Sequence, residues 1–253
     1  MDLLEYVITI FAFLFGMVFG SFFNVVGLRV PLKMSIAYPA SHCTKCMHRL
    51  SALDLIPIFS YIFLKGKCRY CGERVSPIYM ITEIATGFLF ALAYWELRFT
   101  PELIVGLLFI SLLAIIIVSD ITYMIIPDKV LLFFLPLLAL GRFFAHTEPW
   151  WDSLLGPVVG FTVLFLVALL SKGGMGGGDI KLFFLIGLAL GTIGTLVTLF
   201  FASVIGLIVG FVFLKIRGQD RKTPIPFGPS IAIAALVVYF YGDYIIEWYI
   251  NIF

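Results

Sequence analysis

Apolar residues run along this chain in long blocks separated by short polar or glycine-rich breaks. A helix needs about 20 such residues to cross the hydrocarbon core of a bilayer. Blocks of this kind lie near 3–23, 78–96, 101–119, 130–145, 153–170, 180–192, 197–215 and 229–250. The fourth and sixth are short, and the sixth could merge with the seventh through Gly191 to Gly194. The pattern predicts an all-α polytopic membrane protein with about eight transmembrane helices. The first block is not read as a cleaved signal peptide, because it opens with Asp2 and Glu5 and no small-residue cleavage site follows it.

One stretch breaks the pattern. Residues 24–77 are basic, contain Pro31, Pro39, Pro57 and Pro77, and hold every cysteine of the chain. The expected organisation is a first transmembrane helix over 1–23, a small inserted domain over 24–77, and a membrane domain of about seven helices over 78–253. Within the insertion, LIPIFSYIFL at 55–64 is apolar but too short to span. It either lies against the membrane or packs in the core of the insertion.

Composition supports the membrane reading. Of the 253 residues 62% are hydrophobic and only 13% charged, against roughly half and a quarter in soluble domains. These figures exclude a disordered chain or a basic nucleic-acid-binding domain. The placement of charge matters more than its net value of +2. With the N-terminus outside, the inside loops 24–77, 120–129, 171–181 and 215–228 carry 15 of the 17 basic residues, leaving Arg98 and Arg142 outside. This asymmetry fits the positive-inside rule and would collapse if one span were added or lost. It makes the inserted domain cytoplasmic and puts both termini outside.

The cysteines form two knuckles, Cys43-x-x-Cys46 and Cys68-x-x-Cys71. This spacing can place four thiolates at the corners of a tetrahedron, which suits Zn²⁺ in a structural role, since no coordination position is left for substrate. Gly72 allows the tight turn that a knuckle needs. A redox pair or four packed thiols are the alternatives, though a reducing compartment disfavours disulfides. His42 and His48 flank the first knuckle as bystanders.

Carboxylates are scarce in the apolar part, and ionisable groups there are costly and mark function. Glu83, Asp120, Asp128 and Asp179 are the candidates. Asp120 ends the third span, and Asp179 follows the glycine run 173–178 and opens the sixth, so both fall at one membrane face. Two neighbouring carboxylates can share a proton, one activating water and the other protonating the departing amine. Helix ends suggest Asp179 as the anion, at an N-terminus, and Asp120 as the neutral acid, at a C-terminus. Glycines without Cβ atoms would let the backbone approach an extended peptide. The alternative is that Asp179 caps its helix and Asp120 is a solvated loop acid. Asp128, after Pro127, reads as a helix cap. Glu83 lies inside the second span, where it would pair with a basic residue or touch substrate.

Taken together, these residues resemble the type IV prepilin peptidases. Gly20-Ser21-Phe22-Phe23-Asn24-Val25 with Arg29 and Pro31 resembles the family's opening signature. The paired cysteine loop is similar to its cytoplasmic domain, and 77–87 (PIYMITEIATG) to its entry into the second span. Asp120 with Ile126-Pro127-Asp128, then Gly176-Gly177-Gly178-Asp179-Ile180-Lys181, match the two catalytic motifs, the second being Gly-x-Gly-Asp. Pro226-Phe227-Gly228-Pro229 also looks like the family.

The resemblance implies a bacterial inner-membrane aspartyl protease. It would cut the short basic leader from prepilins or pseudopilins after a glycine, at the cytoplasmic face, with Asp120 and Asp179 as the catalytic pair. Gly176, Gly178 and Glu83 would touch substrate. It also implies methylation of the new N-terminus with S-adenosylmethionine, although no βαβ unit with a glycine fingerprint is present. Prepilin-type substrates and membrane lipid are the implied partners, with no nucleic acid. A proton-coupled transporter would need internal repeats and mid-membrane acids, and no convincing repeat is seen. A membrane scaffold would leave the aspartates and the glycine run unexplained. Other intramembrane aspartyl proteases lack a reason for the cysteine loop and the opening signature.

Overall fold

The computed structural model describes residues 3–171, 174–217 and 225–252; the expectations for Asp2, Lys172, Gly173, Arg221 and Lys222 lie outside them. Helices are α1 (Leu3–Arg29), α2 (Phe59–Phe63), α3 (Ile78–Leu97), α4 (Pro101–Tyr123), α5 (Asp128–Phe144), α6 (Asp152–Leu170), α7 (Gly177–Arg217) and α8 (Gly228–Ile250). A 3-10 turn covers Ala52–Leu55. The chain divides into two compact units, Met1–Phe99 and Thr100–Phe253. By packing, the division falls one span later than the boundary at 77/78 that the polar segment suggests.

In the first unit, α3 packs on α1 through glycines. A Cβ on Gly16 would stand 2.7 Å from the Thr86 carbonyl oxygen, and one on Gly20 would stand 2.9 Å from the Glu83 Cα. Helices in lipid associate by such close backbone approach, because burying apolar side chains gains little when the solvent is itself apolar. Buried polar groups complete the pair. The Thr82 hydroxyl donates to Asn24 Oδ1 at 2.6 Å, and Asn24 Nδ2 donates to the Tyr79 carbonyl at 3.2 Å. α1 runs on to Arg29, six residues past its expected end, and the Arg29 guanidinium donates to the carbonyls of Ser35, Ile36 and Pro39.

In the second unit α4 is the centre, with Phe109, Ile110, Leu112, Leu113 and Ile116 fully buried. α5 and α8 pack on α4, and α6 and α8 on α7. Among the described residues, six helices are long and apolar enough to cross a membrane, one of them 177–213 taken as a single helix. That helix is not straight. Gly191 has φ +70°, and a Cβ on Gly160 would touch both the Phe183 carbonyl (2.7 Å) and Thr195 Cγ2 (2.9 Å). Twelve residues of straight helix would hold those two about 18 Å apart. The chain therefore doubles back at Gly191, and α7 is two antiparallel arms, 177–190 and 192–217. With the 17-residue α5, which is short for a span, the helical segments match the eight expected.

The reversal leaves carbonyls at the end of one arm and N–H groups at the start of the next without helical partners. Side chains supply them. Arg142 donates to the Ala189 carbonyl, and the Asp152 carboxylate accepts the Thr192 N–H at 3.0 Å. Arg142 is itself buried and pairs with Glu102 at 2.6 Å, which also accepts the Tyr239 hydroxyl at 2.6 Å. A buried cation is tolerated only when paired in this way.

Candidate active site and thiolate cluster

At the opposite end of the second unit, four chain segments converge: the last turn of α4, the turn to α5, and the starts of α7 and α8. α4 stops where Met124 takes the left-handed conformation (φ +55°) and donates its N–H to the Asp120 carbonyl at 2.9 Å. Asp120 is only 6% exposed, and its Oδ2 accepts the Gly228 N–H at 2.7 Å. Gly228 has to be glycine here, since a Cβ would stand 2.8 Å from that same oxygen. Pro226-Phe227-Gly228-Pro229 thus delivers a helix N-terminus to Asp120, a contact between residues far apart in sequence.

Asp179 lies in the first turn of α7. Its carboxylate accepts the Gly176 N–H and feels the charge of Asp120, so the two predicted acids are brought together from different helices. Their expected roles are not distinguished by helix ends. Asp120 does sit at the C-terminal end of its own helix, but its carboxylate points at the N-terminus of α8. Both acids therefore receive a backbone N–H from a helix start. Asp179 is the third residue of α7 rather than its cap, and it reaches back to the residue before the helix.

The glycine run divides by neighbour. A Cβ on Gly178 would stand 2.8 Å from Ile126 Cβ, one on Gly176 would meet only the Asp179 carboxylate, and one on Gly177 would meet nothing within 4 Å. Gly178 thus lets α7 press against the α4–α5 turn, while Gly177 faces open space. Asp128 is the first residue of α5 rather than its cap, which is Pro127. Its carboxylate takes both oxygens to Lys181 Nζ, at 2.8 and 2.9 Å, tying the starts of α5 and α7.

Glu83 belongs to the first unit. It is 8% exposed; Oε2 accepts the Ile58 N–H at 2.9 Å, and Ser21 also bonds the carboxylate. No basic residue pairs with it in these contacts. The sequence pattern flagged the acid but gave no sign of its partners, Ser21 and Ile58.

The four cysteines of the insertion come together, their sulfurs all within 4.8 Å of one another and Cys43 and Cys71 at 3.7 Å. Zn–S bonds of about 2.3 Å in a tetrahedron set S···S edges of about 3.8 Å, so the cluster fits the metal. Antiparallel bridges His42–Arg49 and Lys67–Arg74 close the two knuckles. Backbone groups of Cys46 and Lys45 hold the Cys43 thiol down at about 6, while Cys71, despite a backbone hydrogen bond at Glu73, is pushed up to about 11 by burial and the neighbouring thiols, so the first thiolate of the cluster forms at Cys43. The His48 ring lies against Tyr70, centroids 3.6 Å apart and planes tilted by 33°.

Comparison with known proteins accounts for both units. Residues 14–97 match the bacterial peptidase A24 N-terminal domain, and residues 107–211 match the type IV leader peptidase family. A prepilin leader peptidase/N-methyltransferase of Bacillus subtilis (strain 168) is 42% identical over 94% of this chain and 96% of its own length. Proteins of the same name from Pseudomonas putida (34% identity, 94% and 92% covered) and Klebsiella pneumoniae (38%, 70% and 82%) are also similar. No solved structure matches. The chain belongs to the type IV leader peptidase family.

Proposed function

We propose that this protein removes the leader peptide from type IV prepilins or pseudopilins and methylates the amine so exposed. The observation that carries the reading is the meeting of Asp120 and Asp179, from separate helices, at one end of the second unit. One carboxylate takes a proton from water as that water attacks the scissile carbonyl. The other donates a proton to the departing amine, and the pair resets by exchanging protons. The Gly228 and Gly176 N–H groups fix where the two carboxylates sit. Gly176 and Gly177 leave space for substrate backbone, whereas Gly178 and Glu83 hold the frame through Ile126 and Ile58.

In this reading the site faces the cytoplasm of a bacterial inner membrane, in line with the basic loops beside it, and both termini lie outside. The insertion holds one Zn²⁺ on Cys43, Cys46, Cys68 and Cys71, which fixes its fold. S-adenosylmethionine supplies the methyl group when bound; the geometry singles out no residues for it, since Glu83 is already engaged by Ser21 and Ile58. The test is incubation of the purified protein with a peptide carrying a basic leader, a glycine and an apolar helix, followed by mass analysis of the new N-terminus. Cleavage after the glycine, with one added methyl when S-adenosylmethionine is present, is expected. An intact peptide would overturn the assignment.

A further inference from the structure

The apolar stretch 53–63 of the inserted domain is neither a span nor a core. Leu53 is 65% exposed, Phe59 54%, Ile62 60% and Phe63 81%, with Leu55 and Ile56 also open. So much contiguous apolar surface on a small domain marks an interaction face.

Its depth says what covers it. The Ile58 N–H, one residue before α2, is held by Glu83 at 2.9 Å. Glu83 lies inside α3, opposite Gly20 of α1. From Gly20, α1 continues for about 13 Å to Arg29. A glutamate side chain leans toward the start of its helix by about a turn, which brings the bond nearer the level of Tyr79 and Asn24. Even there α1 runs on through Val25, Val26, Gly27 and Leu28 before reaching charge. α2 therefore begins at the level of an apolar part of α1, inside the end of the helix pair rather than beyond it.

The hold is deliberate in its geometry. Ile58 has φ +62° and ψ −53°, the strained centre of a γ-turn that the Phe59 N–H closes on the Pro57 carbonyl at 2.6 Å, and it persists only where the surroundings enforce it. The Glu83 carboxylate holds the N–H of that central residue. Directly after α2 come Lys65 and Lys67, both exposed, and then the metal-ligating Cys68.

We infer that 53–63 is a re-entrant interfacial segment: Leu53, Phe59, Ile62 and Phe63 immersed at the acyl–headgroup boundary of the bilayer, with Lys65 and Lys67 at the level of the lipid phosphates. The level of the Ile58–Glu83 bond within the helix pair and the basic residues next to the apolar face both favour lipid over a protein occupant. The segment anchors the thiolate domain on the membrane a few residues from its second knuckle.

The test places the photo-cross-linker p-benzoylphenylalanine at Phe63 and, in a second variant, at Ile62, in vesicles of phosphatidylcholine and phosphatidylglycerol. Tyr38 is the control. It is 80% exposed, but lies in the loop that Arg29 holds beyond the end of α1. Mass analysis should find lipid adducts at 62 and 63 and none at 38. Adducts with protein alone, equal lipid labelling at all three positions, or labelling at none would each overturn the inference. Zinc content matching that of the unsubstituted protein verifies that each variant has folded.

Discussion

Gly178 abuts Ile126 so closely that a Cβ on the glycine would stand 2.8 Å from the isoleucine Cβ. The contact presses the helix that begins beside Asp179 against the turn that follows Asp120. The glycine run before Asp179 is thus, at Gly178, an instrument of helix packing.

Replacement of Gly178 by valine should cripple cleavage by displacing Asp179, because forced overpacking costs about 1–3 kcal/mol. A rescue separates this cause from loss of substrate space. Gly178→Ala should lower kcat/KM, and Ile126→Gly in the same chain, which removes the Cβ that the new methyl strikes, should recover part of the loss. Absence of any recovery in a peptide-cleavage assay would refute the packing explanation. Gly177→Ala, which meets no neighbour, should leave stability unchanged, so any fall in its cleavage rate reports the approach of substrate.

Asp120→Asn and Asp179→Asn should each abolish cleavage while leaving the protein folded in the membrane. An asparagine can still accept the Gly228 or Gly176 N–H, but cannot exchange the catalytic proton. Asp128→Asn should lose far less. Its pairing with Lys181 is about half exposed on both sides, and such pairs contribute only about 0–1 kcal/mol. Product quantified by mass spectrometry for the three purified variants decides the assignment.

Metal analysis of purified protein should find one Zn²⁺ per chain. Serine at Cys43, Cys46, Cys68 or Cys71 should lower that content and destabilise the insertion, since a structural metal contributes folding energy. Near-zero metal in a reduced preparation made without chelator would count against the site.

The reversal in α7 gives a stability test far from the aspartates. A Cβ at Gly191 would fall 2.0 Å from Asp152 Oδ2, at a φ of +70°, so Gly191→Ala should be severely destabilising. Asp152→Ala removes the acceptor for the Thr192 N–H, a loss of about 1–2 kcal/mol by analogy with helix caps. Thermal unfolding in detergent should show both effects in that order, and an unshifted midpoint for Gly191→Ala would contradict the reversal.

What could be read from the sequence follows from what a bilayer enforces. Apolar runs of span length and the alternation of basic loops are imposed by lipid, so the helices are legible from the sequence pattern. The join at Gly191 was legible only as a possible merger, because no polar loop separates the two arms. Contacts across long separations were not legible. The Gly228 N–H that meets Asp120 comes from a helix more than a hundred residues later, and it removes the basis for assigning acid and base from helix ends. Glu83 stood out as a buried acid, yet its partner Ile58 lies in an insertion whose path has no periodicity to follow.

The first arm of α7 rises only about 21 Å and α5 only about 26 Å, against a hydrocarbon core of about 30 Å. Two neighbouring helices of the second unit are thus shorter than the membrane they occupy. Such hydrophobic mismatch is relieved by local thinning of the bilayer. Where it thins, headgroups and water dip toward the short helices, and one of them starts beside Asp179. A protease needs water as a reactant, and such thinning would bring it to the start of the arm on which the partly exposed Asp179 stands. Turnover of one substrate in vesicles of increasing acyl-chain length should therefore fall as the bilayer thickens; a rate indifferent to thickness would show that water reaches the pair by another route.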